Sequence, residues 1–170
     1  AVPAVCQECG QGHYVNRTPG TERIEEDVKQ YFPEARIARM DLDVISNKAK
    51  FRALIDDFES GNLDVLIGTQ MVSKGLDFER VKLVGVMDAD SLMGFPDFRA
   101  EERAYDMLMQ VSGRSGRKGE RGKVVIQVTD MQSRVYQLVR KENYREFYTQ
   151  LSQEREMFNY PPFSRLIQVE

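Results

Sequence analysis

The chain has 170 residues and a net charge of −3, with 41% hydrophobic and 30% charged residues. This composition excludes intrinsic disorder and collagen-like or coiled-coil folds, and it suffices for one domain that buries about 70% of its unfolded surface. No apolar run approaches the ~20 residues of a membrane span, so we expect no membrane partner. Two cysteines, Cys6 and Cys9, are too few for a disulfide scaffold, and a cytoplasmic location is expected.

The N-terminal part of the chain passes from an aperiodic segment to alternating elements. Residues 1–20 hold both cysteines and several glycines, and they are predicted as a loop or knuckle inside a longer chain. Helical spacing of apolar residues then predicts a helix from Thr21 that Pro33 ends. A strand over 36–40 is followed by a second predicted helix, which Ser46 caps.

The rest of the chain is predicted to alternate between buried strands and helices. Runs rich in Val, Ile and Leu predict parallel strands over 63–68, 82–87 and 123–128, with a helix over about 98–113. Apolar residues predict a final helical stripe formed by Tyr144, Phe147, Tyr148 and Leu151, and a strand that begins at 166–169. This alternation predicts an α/β fold with an open, mostly parallel sheet flanked by helices.

Polar residues follow the predicted strand 63–68, and ligands of open α/β sheets bind beyond the carboxyl ends of the strands. The segment supplies a hydroxyl, an amide, a glycine and a carboxylate: Thr69, Gln70, Gly75 and Asp77. Thr69 can donate to a phosphate, Gly75 permits close approach, and Asp77 can accept from a ribose hydroxyl or orient a cation. An ordinary surface loop with a glycine turn is the alternative.

A basic segment follows the third predicted helix. Residues 114–123 carry five basic side chains and one acid, interleaved with glycines, in a chain that is acidic overall. Such a segment favours an anionic partner, and Arg114 and Arg117 could reach one polyphosphate. A solvated basic helix end is the alternative, but it accounts for only one or two arginines.

The sequence lacks the parts that would cradle a nucleotide. It contains no Gly-x-x-x-x-Gly-Lys-Ser/Thr motif and no acidic pair behind a strand that could hold magnesium. We therefore expect this chain alone to be inactive in nucleotide hydrolysis. Arginines without a cradle are typical of one half of a two-lobed site whose other half binds the triphosphate.

The motifs resemble those of a known family. Residues 69–78 and 110–117 resemble motifs V and VI of superfamily 2 helicases, and 110–117 match Gln-x-x-Gly-Arg-x-Gly-Arg in full. More narrowly, the order of segments resembles the PriA family of replication-restart DNA helicases, over nearly the whole chain. The segments are CQECG at 6–10, PGTER at 19–23, GTQM at 68–71, DFRAEER at 97–103, QVSGRSGR at 110–117 and YPPF at 160–163.

This resemblance implies a RecA-like (P-loop NTPase-like) C-terminal helicase lobe. The lobe would be the second motor lobe of an ATP-dependent 3′–5′ DNA helicase, an ATP hydrolase that acts in replication restart and primosome assembly at stalled forks. The implied domains are the tail of a zinc-binding insertion over 1–18, the RecA-like lobe over 19–132, and a helix with the start of a truncated C-terminal domain over 133–170.

The resemblance also implies roles for single residues. Arg114 and Arg117 would be catalytic arginine fingers on the γ-phosphate of ATP, and Gln110 the polar anchor of that catalytic motif. The nucleotide-binding residues would be Gly75 and Asp77, and the DNA-binding residues Thr69 and Gln70.

The implied cofactors are ATP with Mg²⁺, bound mainly by a first lobe, and Zn²⁺. Cys6 and Cys9 form half of a structural zinc site, which upstream cysteines would complete in the full-length protein. In this segment alone we expect them to be metal-free or oxidised, with His13 as an alternative third ligand. The implied partners are forked and single-stranded DNA, primosome proteins and single-strand DNA-binding protein.

Two other functions remain open from the sequence. The first is a non-enzymatic nucleic-acid-binding or protein-docking module whose basic loop only holds phosphates. The second is a motor that moves along duplex DNA without strand separation. Motifs V and VI do not distinguish unwinding from such translocation, because both activities use them.

Overall fold

The computed structural model describes residues 20–69, 80–94, 96–113 and 122–167, apart from the side chain of Leu42. The chain divides into two compact units, Ala1–Met71 and Val72–Glu170, called here the N-terminal and the C-terminal unit. Both units contain helices and a parallel pair of strands, so the predicted α/β class is confirmed. No helix in the described part of the chain is long and apolar enough to cross a membrane.

In its described part, the N-terminal unit pairs two parallel strands and adds three helices. Its elements are α1 (Thr21–Tyr31), β1 (Ile37–Met40), α2 (Leu42–Ser46), α3 (Lys48–Glu59) and β2 (Val65–Gly68). The register runs from Ile37 opposite Val65 to Met40 opposite Gly68. Met40, Ile67 of β2 and Ile55 of α3 are buried. The predicted strands are confirmed, but the short helix α2 was not predicted.

The cap of α3 corrects one prediction. Asn47, not Ser46, caps this helix, because its side-chain oxygen accepts hydrogen bonds from the backbone N–H groups of Ala49 (3.1 Å) and Lys50 (3.2 Å). Ser46 is instead the last residue of α2. Gly61 follows the other end of α3 with φ of 78°, a left-handed conformation that glycine adopts at low cost.

An ion pair ties the start of β1 to the start of β2. Both carboxylate oxygens of Asp64 accept hydrogen bonds from the Arg36 side chain: Nη2 donates to Oδ1 at 2.7 Å, and Nε donates to Oδ2 at 2.8 Å. The backbone N–H of Arg36 also donates to Oδ2 at 2.8 Å, and Nη2 donates to the Gly61 carbonyl. These bonds from Arg36 hold the pKa of Asp64 far below its usual value.

This ion pair predicts a pH dependence for the N-terminal unit. Because the folded-state pKa of Asp64 is depressed, its carboxylate stabilises the fold above the unfolded pKa of about 3.9, and this contribution is lost as the pH falls below that value. We expect Asp64→Asn to lower the Tm at pH 7, and the difference from the parent protein to shrink steadily in acid. Thermal melts from pH 7 to pH 2 measure it, with Asp27→Asn on the exposed face of α1 as the control. A Tm difference that stays constant with pH would contradict the prediction.

Over residues 80–94, 96–113 and 122–167, the C-terminal unit has a second parallel pair and three α-helices. Its elements are β3 (Leu83–Val86), a 3₁₀ helix (Ala89–Leu92), α4 (Ala100–Ser112), β4 (Lys123–Ile126), α5 (Arg134–Arg140) and α6 (Tyr144–Met157). The register runs from Leu83 opposite Lys123 to Val86 opposite Ile126. The helix α4 and both strands were predicted, whereas α5 was not.

The core of this unit lies between α4, α5 and α6. Its buried residues are Ala104, Tyr105 and Leu108 of α4, Val135, Tyr136, Leu138 and Val139 of α5, Phe147 and Leu151 of α6, and Ala89. The rings of Tyr105 and Phe147 stack with centroids 4.0 Å apart and planes within 7°. Val86 and Ile126 of the two strands pack against the same cluster. The helices α5 and α6 therefore pack on α4 within one unit.

Fewer residues of the C-terminal unit are buried than the sequence predicts. The strands β3 and β4 were predicted to be buried, but Leu83 and Val125 are about 60% exposed, and only alternate residues face the core. In α6, Phe147 and Leu151 are buried while Tyr144 and Tyr148 are exposed. The described part of the predicted strand at 166–169 forms no strand, and residues 168 and 169 lie outside the described ranges.

Candidate functional site

Thr69 lies at the carboxyl edge of the parallel pair β1–β2. It follows Gly68 directly and is exposed, as expected for a residue that could reach a ligand beyond the strand. On the neighbouring strand, Asp41 follows β1 and accepts a hydrogen bond from Arg39 Nε at 2.9 Å. Thr69 thus lies directly after the strand, as predicted, and its contact with DNA stays a prediction.

The other residues predicted in this loop, Gln70, Gly75 and Asp77, lie outside the described ranges. Their proposed contacts with DNA and nucleotide stay predictions.

Gln110 occupies the last turn of α4 and is exposed. The helix ends at Ser112, whose hydroxyl donates to the Leu108 carbonyl at 2.8 Å, and Gly113 follows as the C-terminal cap. This end agrees with the helix predicted over about 98–113. The C-terminal end of a helix carries partial negative charge, which favours the basic residues that follow it in sequence. Arg114 and Arg117 themselves lie outside the described ranges.

The segment 97–103, quoted above for its resemblance, builds the start of α4. The Asp97 carboxylate accepts from the backbone N–H of Arg99 at 2.9 Å and pairs with Arg103, while its carbonyl accepts from the N–H of Ala100 at 2.8 Å. The Arg99 N–H, followed by the Arg103 side chain, lowers the pKa of Asp97 below its usual value. These bonds satisfy groups that the first turn of a helix leaves unpaired.

Two glutamates in the first turn of α4 are held by arginines from the next two helices. Glu101 pairs with Arg134 of α5, whose Nε lies 2.7 Å from Oε2, and Glu102 pairs with Arg155 of α6 at 2.6 Å. These partners are 33 and 53 residues apart in sequence, so no local periodicity could have predicted them. The helix that carries Gln110 is thus fixed at its opposite end by ion pairs.

A polar cluster at the carboxyl edge of β3–β4 was also missed by the sequence analysis. Asp90 accepts from the Tyr136 hydroxyl at 2.8 Å and from the backbone N–H of Thr129 at 2.6 Å. Partial burial acts to raise the pKa of Asp90, but these hydrogen bonds outweigh it and the pKa lies below its usual value. Burial and the neighbouring carboxylate raise the pKa of Tyr136. Asp90 therefore joins the strand ends to α5.

No metal site is seen in the described ranges, where no group of three or more His, Cys, Asp or Glu side chains could hold an ion. The predicted zinc ligands Cys6 and Cys9, and the alternative ligand His13, lie outside those ranges. Zinc binding therefore stays a prediction from the sequence.

Comparison with known proteins extends over almost the whole chain. Residues 13–119 match the helicase conserved C-terminal domain family. The chain is 45% identical over 165 residues to replication restart protein PriA of Synechocystis sp., covering 97% of this chain and 20% of the relative. PriA of Bacillus subtilis is 41% identical over 95% of the chain and 20% of that protein, and PriA of Thermotoga maritima 38% over 96% and 22%.

The matched region includes both the fold and the predicted motifs. The chain spans about a fifth of the length of the curated relatives it matches. The family match contains both Thr69 and Gln110, as well as residues 110–117. The predicted RecA-like helicase lobe is thereby confirmed, and the chain belongs to the helicase conserved C-terminal domain family, with its similarity extending to the PriA replication restart proteins.

Proposed function

We propose that this chain is the second motor lobe of an ATP-dependent 3′–5′ DNA helicase that acts in replication restart and primosome assembly at stalled forks. The observation that carries the proposal is the complete QVSGRSGR motif, which starts in the last turn of α4 inside the family match. The similarity to replication restart proteins along the chain supports the biological setting. We propose the cytoplasm as its location.

In this proposal the arginines after α4 act on ATP that is held, with Mg²⁺, mainly by another lobe. The sequence offers no phosphate-cradling loop of its own, so the segment alone would not turn over ATP. Arg114 and Arg117 would stabilise charge that develops on the γ-phosphate, while Gln110 would anchor their motif by hydrogen bonds. Gly75 and Asp77 would face the nucleotide. Arginine suits this task because its charge and planar donors match phosphate geometry.

DNA is the proposed substrate of the motor. Exposed Thr69 at the edge of β1–β2, with Gln70 after it, would donate to the sugar-phosphate backbone. Because the chain has a net charge of −3, the nucleic acid would follow a limited strip near the motif loops and not the whole surface. ATP binding would close the cleft between the lobes, and the closure would move the grip of Thr69 along a single strand.

Further partners are proposed on the same basis. In a longer helicase, Cys6 and Cys9 would supply two of the four thiolates or imidazoles that structural zinc needs. Primosome proteins and single-strand DNA-binding protein would join at the fork.

A strand-displacement assay on the longer protein tests this function. We expect ATP-dependent release of a labelled strand from a forked duplex, and we expect Gln110→Ala to slow ATP turnover by about tenfold, the cost of one lost hydrogen bond to a charged motif. Asp106→Asn is the matched control, because Asp106 is exposed one turn earlier on the same helix. DNA binding without any effect of ATP would reject the motor. Displacement of a triplex strand without duplex unwinding would reject strand separation.

A further inference from the structure

Arg134 joins three helices of the C-terminal unit. It is the first residue of α5, and its guanidinium contacts Glu101 of α4 and Glu154 of α6. Two of its nitrogens, Nε at 2.7 Å and Nη2 at 2.5 Å, donate to Oε2 of Glu101, and Nη2 also donates to Glu154. One side chain therefore fixes the first turn of α4 against both following helices.

The position of Arg134 in its own helix is unfavourable. A cation in the first turn of a helix is repelled by the partial positive charge of that end. Partly exposed ion pairs stabilise a fold only weakly. With a side chain about one-third exposed, Arg134 thus contributes little net stability, and the geometry that it imposes on α4 is its larger effect.

A second arginine fixes the same turn. Arg155 of α6 donates from Nη2 to Glu102 at 2.6 Å, and its guanidinium lies 5.2 Å from the centroid of the Phe98 ring. Its side chain is only 14% exposed. The start of α4 is held from two sides, whereas Gln110 at the other end of the helix is exposed.

The length of α4 makes its far end sensitive to this anchor. Gln110 lies nine residues beyond Glu101, which is about 14 Å along a helix. Over that distance a tilt of about 4° moves the end of the helix by about 1 Å, and a 1 Å misplacement of a catalytic group can cost about 10²-fold in rate.

We propose that Arg134 is a positioning residue of the motor: through Glu101 it sets the orientation of α4, and thereby the position of the motif that begins at Gln110. This inference rests on the proposed function of that motif. Arginine suits this position better than lysine, because one planar guanidinium serves two carboxylates on different helices. Lysine carries one point charge and can satisfy the two carboxylates only in part.

The test compares Arg134→Gln with Arg140→Gln in the full-length helicase. Arg140 is the matched control, an exposed arginine at the other end of the same helix. For Arg134→Gln we expect kcat for DNA-stimulated ATP turnover to fall about 10- to 100-fold with the KM for ATP within about twofold, because positioning acts in the transition state. Arg134→Lys should recover part of kcat, and Arg140→Gln should match the parent.

A second readout is independent of turnover. Amide hydrogen exchange in the last turn of α4, residues 109–112, should become faster in Arg134→Gln and stay unchanged in Arg140→Gln. If Arg134→Gln does not fold, the same turnover and exchange measurements are made on Arg134→Lys and Glu154→Gln.

Three results would overturn the inference. They are a folded variant with the parent kcat, a loss of kcat that follows the unfolded fraction, and unchanged exchange at 109–112. An Arg117→Ala protein with normal turnover would instead overturn the proposed function itself, so the two failures are distinguishable.

Discussion

In the proposed motor, replacing Arg117 by alanine is expected to lower DNA-stimulated ATP turnover by about 10³-fold or more, with ATP binding nearly intact. The guanidinium would act on negative charge that forms on the γ-phosphate oxygens only in the transition state. Its loss should therefore appear in kcat, and hardly in the affinity for ATP. Steady-state turnover at saturating DNA, together with equilibrium binding of a non-hydrolysable ATP analogue, measures both quantities.

The adjacent Lys118 provides the control for charge. Lys118→Ala removes one positive charge from the same basic segment, so a general loss of phosphate attraction would affect it as much as Arg117→Ala. We expect less than a threefold change in kcat for the lysine variant. Arg117→Lys should recover only a small part of the activity, because a lysine lacks the planar fork. Unchanged turnover in Arg117→Ala would leave this lobe as a phosphate-binding scaffold.

Helix and strand positions followed from sequence where one local pattern dominates. The predicted helix over 98–113 is found as Ala100–Ser112, and the strand over 63–68 as Val65–Gly68, since each has a single apolar pattern between clear breakers. The prediction of the residue that caps α3 was wrong, because Ser46 and Asn47 are adjacent and both are good capping residues. Only the three-dimensional path shows that Ser46 completes another helix.

Which faces are buried was harder to predict. Tyr144 and Tyr148 share the apolar stripe of α6 with Phe147 and Leu151, yet they are exposed. Periodicity gives the direction of a helix face but not its width, which depends on how closely α4 and α5 approach. A tyrosine also tolerates exposure, because its hydroxyl is polar. The continuous apolar runs of β3 and β4 likewise predicted strands without showing which face would pack.

For the candidate site, sequence predicted the places of Thr69 and Gln110: the first lies directly after β2 and the second in the last turn of α4, and both are exposed. The motif spacing made this possible, because such segments follow a strand or end a helix. The support of the site could not be predicted: Arg134 and Arg155 reach α4 from distant parts of the chain. Long-range ion pairs leave no periodic trace in a sequence.

Phe147 links α6 to the helix that carries Gln110, and Phe147→Ala is expected to destabilise the C-terminal unit by about 3–5 kcal/mol. The side chain is 2% exposed and its ring stacks on Tyr105 of α4. The variant would lose its apolar burial and leave a cavity against a buried tyrosine, whose hydroxyl has no hydrogen-bond partner among the described residues. Native-state hydrogen exchange of amides in α4, α5 and α6 measures the loss for each helix separately.

The way in which the loss of stability is shared among α4, α5 and α6 shows whether the three helices belong to one cooperative unit. If residues beyond 133 form one cooperative unit with α4, as their shared core implies, the opening free energy should fall by the same amount in all three helices. Tyr148→Ala, at the next position of α6 but 60% exposed, is the control and should change it by less than about 0.5 kcal/mol. A loss confined to α5 and α6 would instead favour a separate domain from residue 133 onward. In that case the two helices would open without α4, and the ion pair between Arg134 and Glu101 would join two domains that unfold separately.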